Sequence, residues 1–202
     1  MRKKSLSNLK RKKNFREIRK NFLIVCEGEK TEPNYFEKFR VSKKVFDVIG
    51  IGANTTSLVE KAIALRDNAT VSYAEVWCVF DRDSFPAQNF NNALRLAKRN
   101  NIKVAYSNEA FEIWYLLHFH FHDSATSRMQ YSTMLTERLG FQYKKNDPFI
   151  YDYILPLQSL AIQNAENLLR SYGFLEKFPL KFKRNSNHLF IKTLFYVTFT
   201  RN

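Results

Sequence analysis

"FLIVCEGEKTEPNYFEKF", Phe22 to Phe39, is the stretch whose reading decides the fold. Its first residues form a short apolar run containing β-branched Ile24 and Val25, which predicts a buried strand. The run stops abruptly at Glu27, and Gly28 with the polar residues behind it predicts a turn. Thr31 as N-cap and Pro33 in the first turn then predict a helix through "TEPNYFEKFRVSKK". Strand, turn and helix make the opening of a βα unit. The strand ends on a carboxylate, with two more close behind, in a chain of formal net charge +14.

The same alternation continues. "VFDVIGIG" (45–52) predicts a second strand closed by Gly52. "TTSLVEKAIALRDNA" (55–69) spaces Leu58, Ala62 and Leu65 along one helical face, with Thr56 or Ser57 available as cap. "AEVWCVFDRD" (74–83) predicts a third strand, "PAQNFNNALRLAKRNN" (86–101) a helix opened by Pro86, and "IKVAYSN" (102–108) a fourth strand. "EAFEIWYLLHFHFH" (109–122) reads as helix. Repeated βα units imply an α/β fold with a mostly parallel sheet and flanking helices. From Ser124 the pattern turns helical, in "SRMQYSTMLTERLGF" and "IYDYILPLQSLAIQNAENLLRSYG". Three regions follow: a basic arm (1–20), an α/β core (21–123) and a helical C-terminal region (124–202). The last stretch, "NSNHLFIKTLFYVTFTRN", suits either a strand or a short helix.

Composition narrows the function. The 19 Phe and 10 Tyr argue against disorder throughout the chain. No apolar stretch approaches the ~20 residues of a bilayer span, and no apolar signal core follows the basic N-terminus. Cys26 and Cys78 read as reduced thiols, so the expected location is cytoplasmic, with no membrane partner. With 33 Lys+Arg against 19 Asp+Glu, the expected partner is a polyanion, nucleic acid ahead of membrane. Much of that charge lies in residues 1–20, expected to reach for phosphates.

In an open α/β sheet, ligands sit beyond the carboxyl ends of the strands. Glu27 lies at that end of the first strand, and Asp81 and Asp83 at that end of the third. A two-residue spacing in extended chain turns both Asp side chains to one face. Three close carboxylates repel one another unless a cation neutralises them, and an all-oxygen set selects a hard ion, Mg²⁺ or Mn²⁺.

"FLIVCEGEKTEPNYFEKF", "VWCVFDRDSF" and "SNEAFEIWYLLHF", in this order, resemble the RloB-like proteins, a Toprim-fold group associated with bacterial anti-phage and restriction loci. The similarity runs from about Phe22 to Arg170 and includes "LGFQYKK" and "AIQNAENLL". The resemblance implies that Glu27 is the Toprim glutamate, that Asp81 and Asp83 are its D-x-D pair holding Mg²⁺ for phosphoryl transfer, and that Glu112 has a role. It also implies an ATPase or restriction-system partner. The expected activity is metal-dependent phosphodiester hydrolysis of DNA or RNA, transfer RNA included, with Lys30 and helix N-terminal amides stabilising the phosphorane charge. The competing readings are a non-catalytic binding module of a defence complex, and a nucleotidyl-transfer or primase-like enzyme.

Other polar residues carry blander expectations. Glu29 and Glu32 face the helix dipole, Glu109 caps the next helix, and Arg82 points away from the two Asp. His118 and His122 have the one-turn spacing of a zinc pair but lack further nitrogen or sulfur ligands; contact with phosphate is the better reading. "FQYKKNDPFIYDY" and "FLEKFPLKFKR" interleave Lys, Arg and aromatic residues in a way that suits base stacking, although a packed aromatic face is the default.

Overall fold

The computed structural model describes residues 20–39, 44–52, 55–82, 87–107 and 109–171. The basic arm (its first nineteen residues), Asp83, Pro86, "FLEKFPLKFKR" and the C-terminal stretch lie outside the described residues.

The strands are β1 (Lys20–Cys26), β2 (Lys44–Gly50), β3 (Tyr73–Asp81) and β4 (Lys103–Ser107). They form one parallel sheet in the order β2-β1-β3-β4. Alternation sorts their side chains between two cores. Ile24, Cys26, Trp77, Val79 and Ala105 enter one core; Leu23, Val25, Cys78 and Phe80 enter the other. Because both faces are buried, the strands read as continuous apolar runs rather than alternating ones.

The first core is closed by α1 (Thr31–Glu37), α4 (Glu112–Leu117), α5 (Arg128–Leu139), α6 (Ile150–Ile154) and α7 (Gln158–Ser171). The second is closed by α2 (Thr55–Asp67) and α3 (Ala87–Arg99). The result is a three-layer α/β fold, of Rossmann- or Toprim-like form, with helices on both faces and the C-terminal helices on one of them. Tyr35 anchors the first core: its fully buried ring meets those of Phe36, Phe39, Phe111, Trp114, Tyr115 and Tyr151 at centroid distances of 5.1 to 6.5 Å. Truncating such a ring costs about 3–5 kcal/mol.

Several local expectations are corrected. Thr31 is not the N-cap of α1; that position is Lys30, without a capping side chain, because the Thr31 hydroxyl donates instead to Asn146 Oδ1 at 2.6 Å. Thr56 and Ser57 lie inside α2, and Leu65 is only half-buried. The helix expected over 109–122 is confined to Glu112–Leu117, and Glu109 does not cap it, since the N-cap is Phe111. By contrast α5 carries a full capping box, with Ser127 accepting from the Gln130 amide and the Gln130 side chain accepting from the Ser127 amide. No helix among the described residues is long and apolar enough to cross a membrane.

The order β2-β1-β3-β4 fixes where a ligand would sit. From β1 the chain moves outward to β2, then returns across β1 to β3. The crevice between the carboxyl ends of β1 and β3 is therefore the topological switch point.

Candidate functional site

Glu27 and Asp81 flank that crevice. The Glu27 amide donates to Val79 O at 2.8 Å, extending the β1–β3 ladder one residue past the strand. The Asp81 amide donates to Glu27 Oε2 at 3.0 Å, so the two strand ends are tied directly to each other. Asp81 continues the face of Trp77 and Val79, as period two requires. It therefore points to the side of α1, α4 and α5. Its Oδ2 lies 3.7 Å from the Arg128 guanidinium at the start of α5, and its Oδ1 is buried without a hydrogen-bond partner. Burial pushes the Asp81 carboxyl well above the usual carboxylate range. The charges of Glu32, Glu112 and Glu27 add to the rise, and Arg128 opposes it.

Glu32 is a larger part of this site than the sequence reading made it. It is 5% exposed, and its carboxylate fills the space directly over Gly28, where an added Cβ would come within 2.9 Å of Glu32 Cδ. A residue placed there only to face a helix dipole would be solvated. Burial raises the Glu32 pKa, helped by Glu112 and opposed by its own backbone hydrogen bond and by Lys145 and Arg128. Glu112 is also buried, and its Oε1 accepts from Tyr143 Oη at 3.1 Å. Burial in turn raises the Tyr143 phenol, with the Glu112 charge next among the causes.

These groups line or adjoin a cleft of ≈ 470 Å³ whose wall includes Glu27, Gly28, Lys30, Glu32, Asp81, Arg128 and Lys145. Lys30 is exposed at its rim. Asn146 joins the wall by accepting from Thr31 Oγ1 and, through its carbonyl, from Asn34 Nδ2 at 3.2 Å. A larger hollow of ≈ 790 Å³ lies between β2 and α2, with Tyr73 donating to Asp47 at 2.7 Å. It is lined largely by aliphatic residues, so the smaller cleft is where the charged chemistry gathers.

Of the five residues expected at the site, Glu27 and Asp81 are in direct contact, Glu112 is buried on the same side of the sheet, Lys30 is at the rim, and Asp83 lies outside the described residues. The sequence reading gave Glu32 only a helix-dipole role and did not place Arg128, Lys145 or Tyr143 at this site. Among the described residues, no group of three or more His, Cys, Asp or Glu side chains could hold a metal ion. The donor chemistry still fits a hard cation, because the clustered groups are carboxylates and one Asp81 oxygen is buried without a donor.

Of two other expectations, one agrees with the structure and one changes. Arg82 points away from Asp81, as expected, and lies over the Phe90 ring, 5.4 Å from its centroid. His118 and His122 do not form a pair. The helix ends before them; His118 is fully buried with Nδ1 2.9 Å from Trp114 O, and His122 Nε2 meets Thr126 Oγ1 at 2.6 Å. Burial lowers the His118 pKa to about 4, so it is a neutral core residue and does not reach phosphate.

The chain matches the model of the RloB-like protein family over residues 22–179, more than half its length, and belongs to that family. Comparison with curated proteins gives no match, and neither does comparison with solved structures.

Proposed function

From this family membership and the acidic switch-point cleft, we propose that the protein is a metal-dependent nuclease that hydrolyses nucleic-acid phosphodiester bonds, acting in anti-phage or restriction-associated defence. The observation that carries the reading is Asp81, a carboxylate sequestered at the switch point with one undonated oxygen, tied to Glu27. A carboxylate desolvated beside other acidic groups in a cleft at the ligand-binding edge of a sheet is a functional-site signature. Glu27 and Asp81, with Asp83 as the third member, would hold Mg²⁺ or Mn²⁺. When bound, the ion would neutralise the scissile phosphate and lower the pKa of water beside it.

The chain's own residues divide the remaining work. Glu27 accepts from the Asp81 backbone amide, which holds the Glu27 carboxylate against the end of β3. Lys30 and Lys145, both exposed at the cleft, bind phosphate. Arg128 balances Asp81 until a cation does. Glu112 is a positioning residue, held by Tyr143 and acting on Asp81 through its charge. The substrate is DNA or RNA, delivered with an ATPase or restriction-system partner in the cytoplasm.

The test is a cleavage assay with Mg²⁺ or Mn²⁺ on plasmid, single-stranded DNA and total RNA, with Asp81→Asn as control. Cleavage by the wild type and its loss in the variant support the reading; equal cleavage by both refutes it. The Arg128–Asp81 approach favours a second reading, in which the cluster is neutralised from within and the protein is a non-catalytic binding module of a defence complex. Nucleic-acid binding without cleavage under every metal condition selects it.

A further inference from the structure

Four aromatic residues among the described residues are exposed, and three of them, unlike Phe121, form a row that starts close in the chain to the cleft wall. Phe149 is 59% exposed, Tyr153 52% and Phe141 38%. Phe149 and Tyr153 are four residues apart, with the Tyr153 amide donating to Phe149 O, so they share the outer side of α6. The inner side of that helix, Ile150, Tyr151 and Ile154, is buried in the first core. Phe141 extends the row, its ring 4.9 Å from that of Tyr153. An exposed apolar row of this kind marks a binding surface more often than a defect of packing.

Its surroundings say what it binds. Lys38 places its ammonium 5.2 Å from the Phe149 ring centroid, although the same ammonium is paired with Asp152. Exposed Lys144 and Lys145 lie in the loop between Phe141 and Phe149, and Lys145 is also part of the cleft wall. Phe149 is the fourth residue after Lys145, so the row begins within about 14 Å of the cleft wall. That loop is pinned to α1 through the two hydrogen bonds of Asn146. Aromatic faces flanked by lysines, in a chain of net charge +14, match a ligand with flat apolar rings on an anionic backbone.

We propose that Phe149, Tyr153 and Phe141 form a stacking platform for single-stranded nucleic acid, and that it feeds the strand toward the Glu27–Asp81 cleft. The single strand follows from the chemistry: a duplex keeps its base faces stacked on one another, whereas an unpaired strand offers them. This substrate class rests on the nuclease reading only for what happens after capture.

The experiment measures binding of a fluorescent single-stranded oligonucleotide, and of the blunt duplex of the same sequence, by anisotropy in EDTA with the full chain. Phe149→Ala/Tyr153→Ala should weaken single-strand binding at least ~30-fold, the scale of two lost base stacks, while changing duplex binding little. Phe149→Trp/Tyr153→Trp should retain it, which guards against a folding artefact. Equal binding of single strand by wild type and alanine variant overturns the platform, as does an equal loss for both oligonucleotides. A wild-type dimer that the alanine variant dissociates, with oligonucleotide binding unchanged, also overturns it and assigns the row to a protein interface. Cleavage by a variant that has lost no single-strand binding refutes the platform alone. Selective loss of single-strand binding in a protein that cleaves nothing upholds the platform and refutes only the nuclease reading.

Discussion

Replacing Gly28 with alanine tests whether Glu32 is held in a built carboxylate pocket. Among the described residues the glycines with positive φ are Gly52 and Gly140, so Gly28 is not required for its backbone conformation. It is required for space. A Cβ at this position would lie 2.9 Å from Glu32 Cδ and 3.1 Å from Oε1, and closer still to Oε2. Non-bonded carbon atoms prefer about 3.5–4.0 Å, so the carboxylate would have to retreat by roughly 1 Å. Glu32 is 5% exposed where it stands, so its carboxylate gives way only by shifting within the cleft wall it forms. Overpacking of this kind costs about 1–3 kcal/mol. At about 2–4 °C per kcal/mol for a chain of this length, Tm should fall by about 2–12 °C.

The double-mutant cycle decides the cause. Glu32→Ala removes the obstructing carboxylate, so Gly28→Ala in that background should cost nearly nothing, and the coupling between the sites should equal about the 1–3 kcal/mol of the single change. Gly50→Ala is the contrasting control. Its Cβ would meet Gly28 O at 2.5 Å and Glu29 Cα at 2.8 Å, backbone atoms that Glu32→Ala does not move. The assay is thermal and urea unfolding followed by circular dichroism. A Gly28→Ala penalty that is unchanged in the Glu32→Ala background, or absent altogether, would refute the argument that Glu32 occupies this space.

Asp81→Asn should reduce metal-dependent cleavage by at least ~100-fold, the scale of a lost electrostatic contact in the transition state. Its effect on stability has a defined sign: with the folded pKa raised, the wild type loses stability as pH rises from the ordinary carboxylate value of ~3.9 through the raised one. The metal-free variant should therefore be the more stable protein at neutral pH, and the advantage should vanish in acid; an advantage that grows on acidification contradicts the assignment. Tyr143→Phe removes the donor to buried Glu112 and should cost about 1–3 kcal/mol in urea unfolding; a neutral outcome means that Glu112 is satisfied by other groups. The His118 ring should remain neutral by NMR until the pH falls to about 4, while a transition near 6.5 would show it exposed. Deleting residues 1–20 should weaken nucleic-acid binding and flatten its salt dependence; an unchanged salt slope would exclude the arm as a phosphate contact.

The parallel sheet was legible because each strand is a short apolar run that ends at a polar residue or glycine. Buried strands between helices leave few other readings of such a pattern. Glu27 and Asp81 were legible for the same reason: a carboxylate at a strand end has a position as soon as the strand does. Glu32, Arg128 and Lys145 had no such marker. Glu32 looks like any acidic residue in a first helical turn, and what distinguishes it is the absence of a side chain at Gly28, four residues earlier. Arg128 and Lys145 reach the cleft only because the C-terminal helices pack on the α1 side of the sheet. A local pattern cannot specify which face a later helix chooses. The histidine spacing misled for a related reason: one-turn spacing has meaning only while the helix continues, and here it stops at Leu117.

The parity of β3 ties these observations together. Trp77, Val79 and Asp81 share one face, while Cys78 and Phe80 share the other. A slip of one residue would turn Asp81 toward α3 and away from Glu32, Glu112 and Arg128. The register is held by the β1–β3 ladder and by the two hydrogen bonds that continue it, from the Glu27 amide to Val79 and from the Asp81 amide to Glu27. The Glu27 side chain thus has a structural task as well as a chemical one. Glu27→Gln keeps an acceptor for the Asp81 amide and should preserve the fold while removing one charge from the cleft. Glu27→Ala loses that acceptor and should cost about 1–3 kcal/mol if the strand end stays dry. Equal stability of the two variants would show that water replaces the carboxylate and that the strand ends are not locked by it.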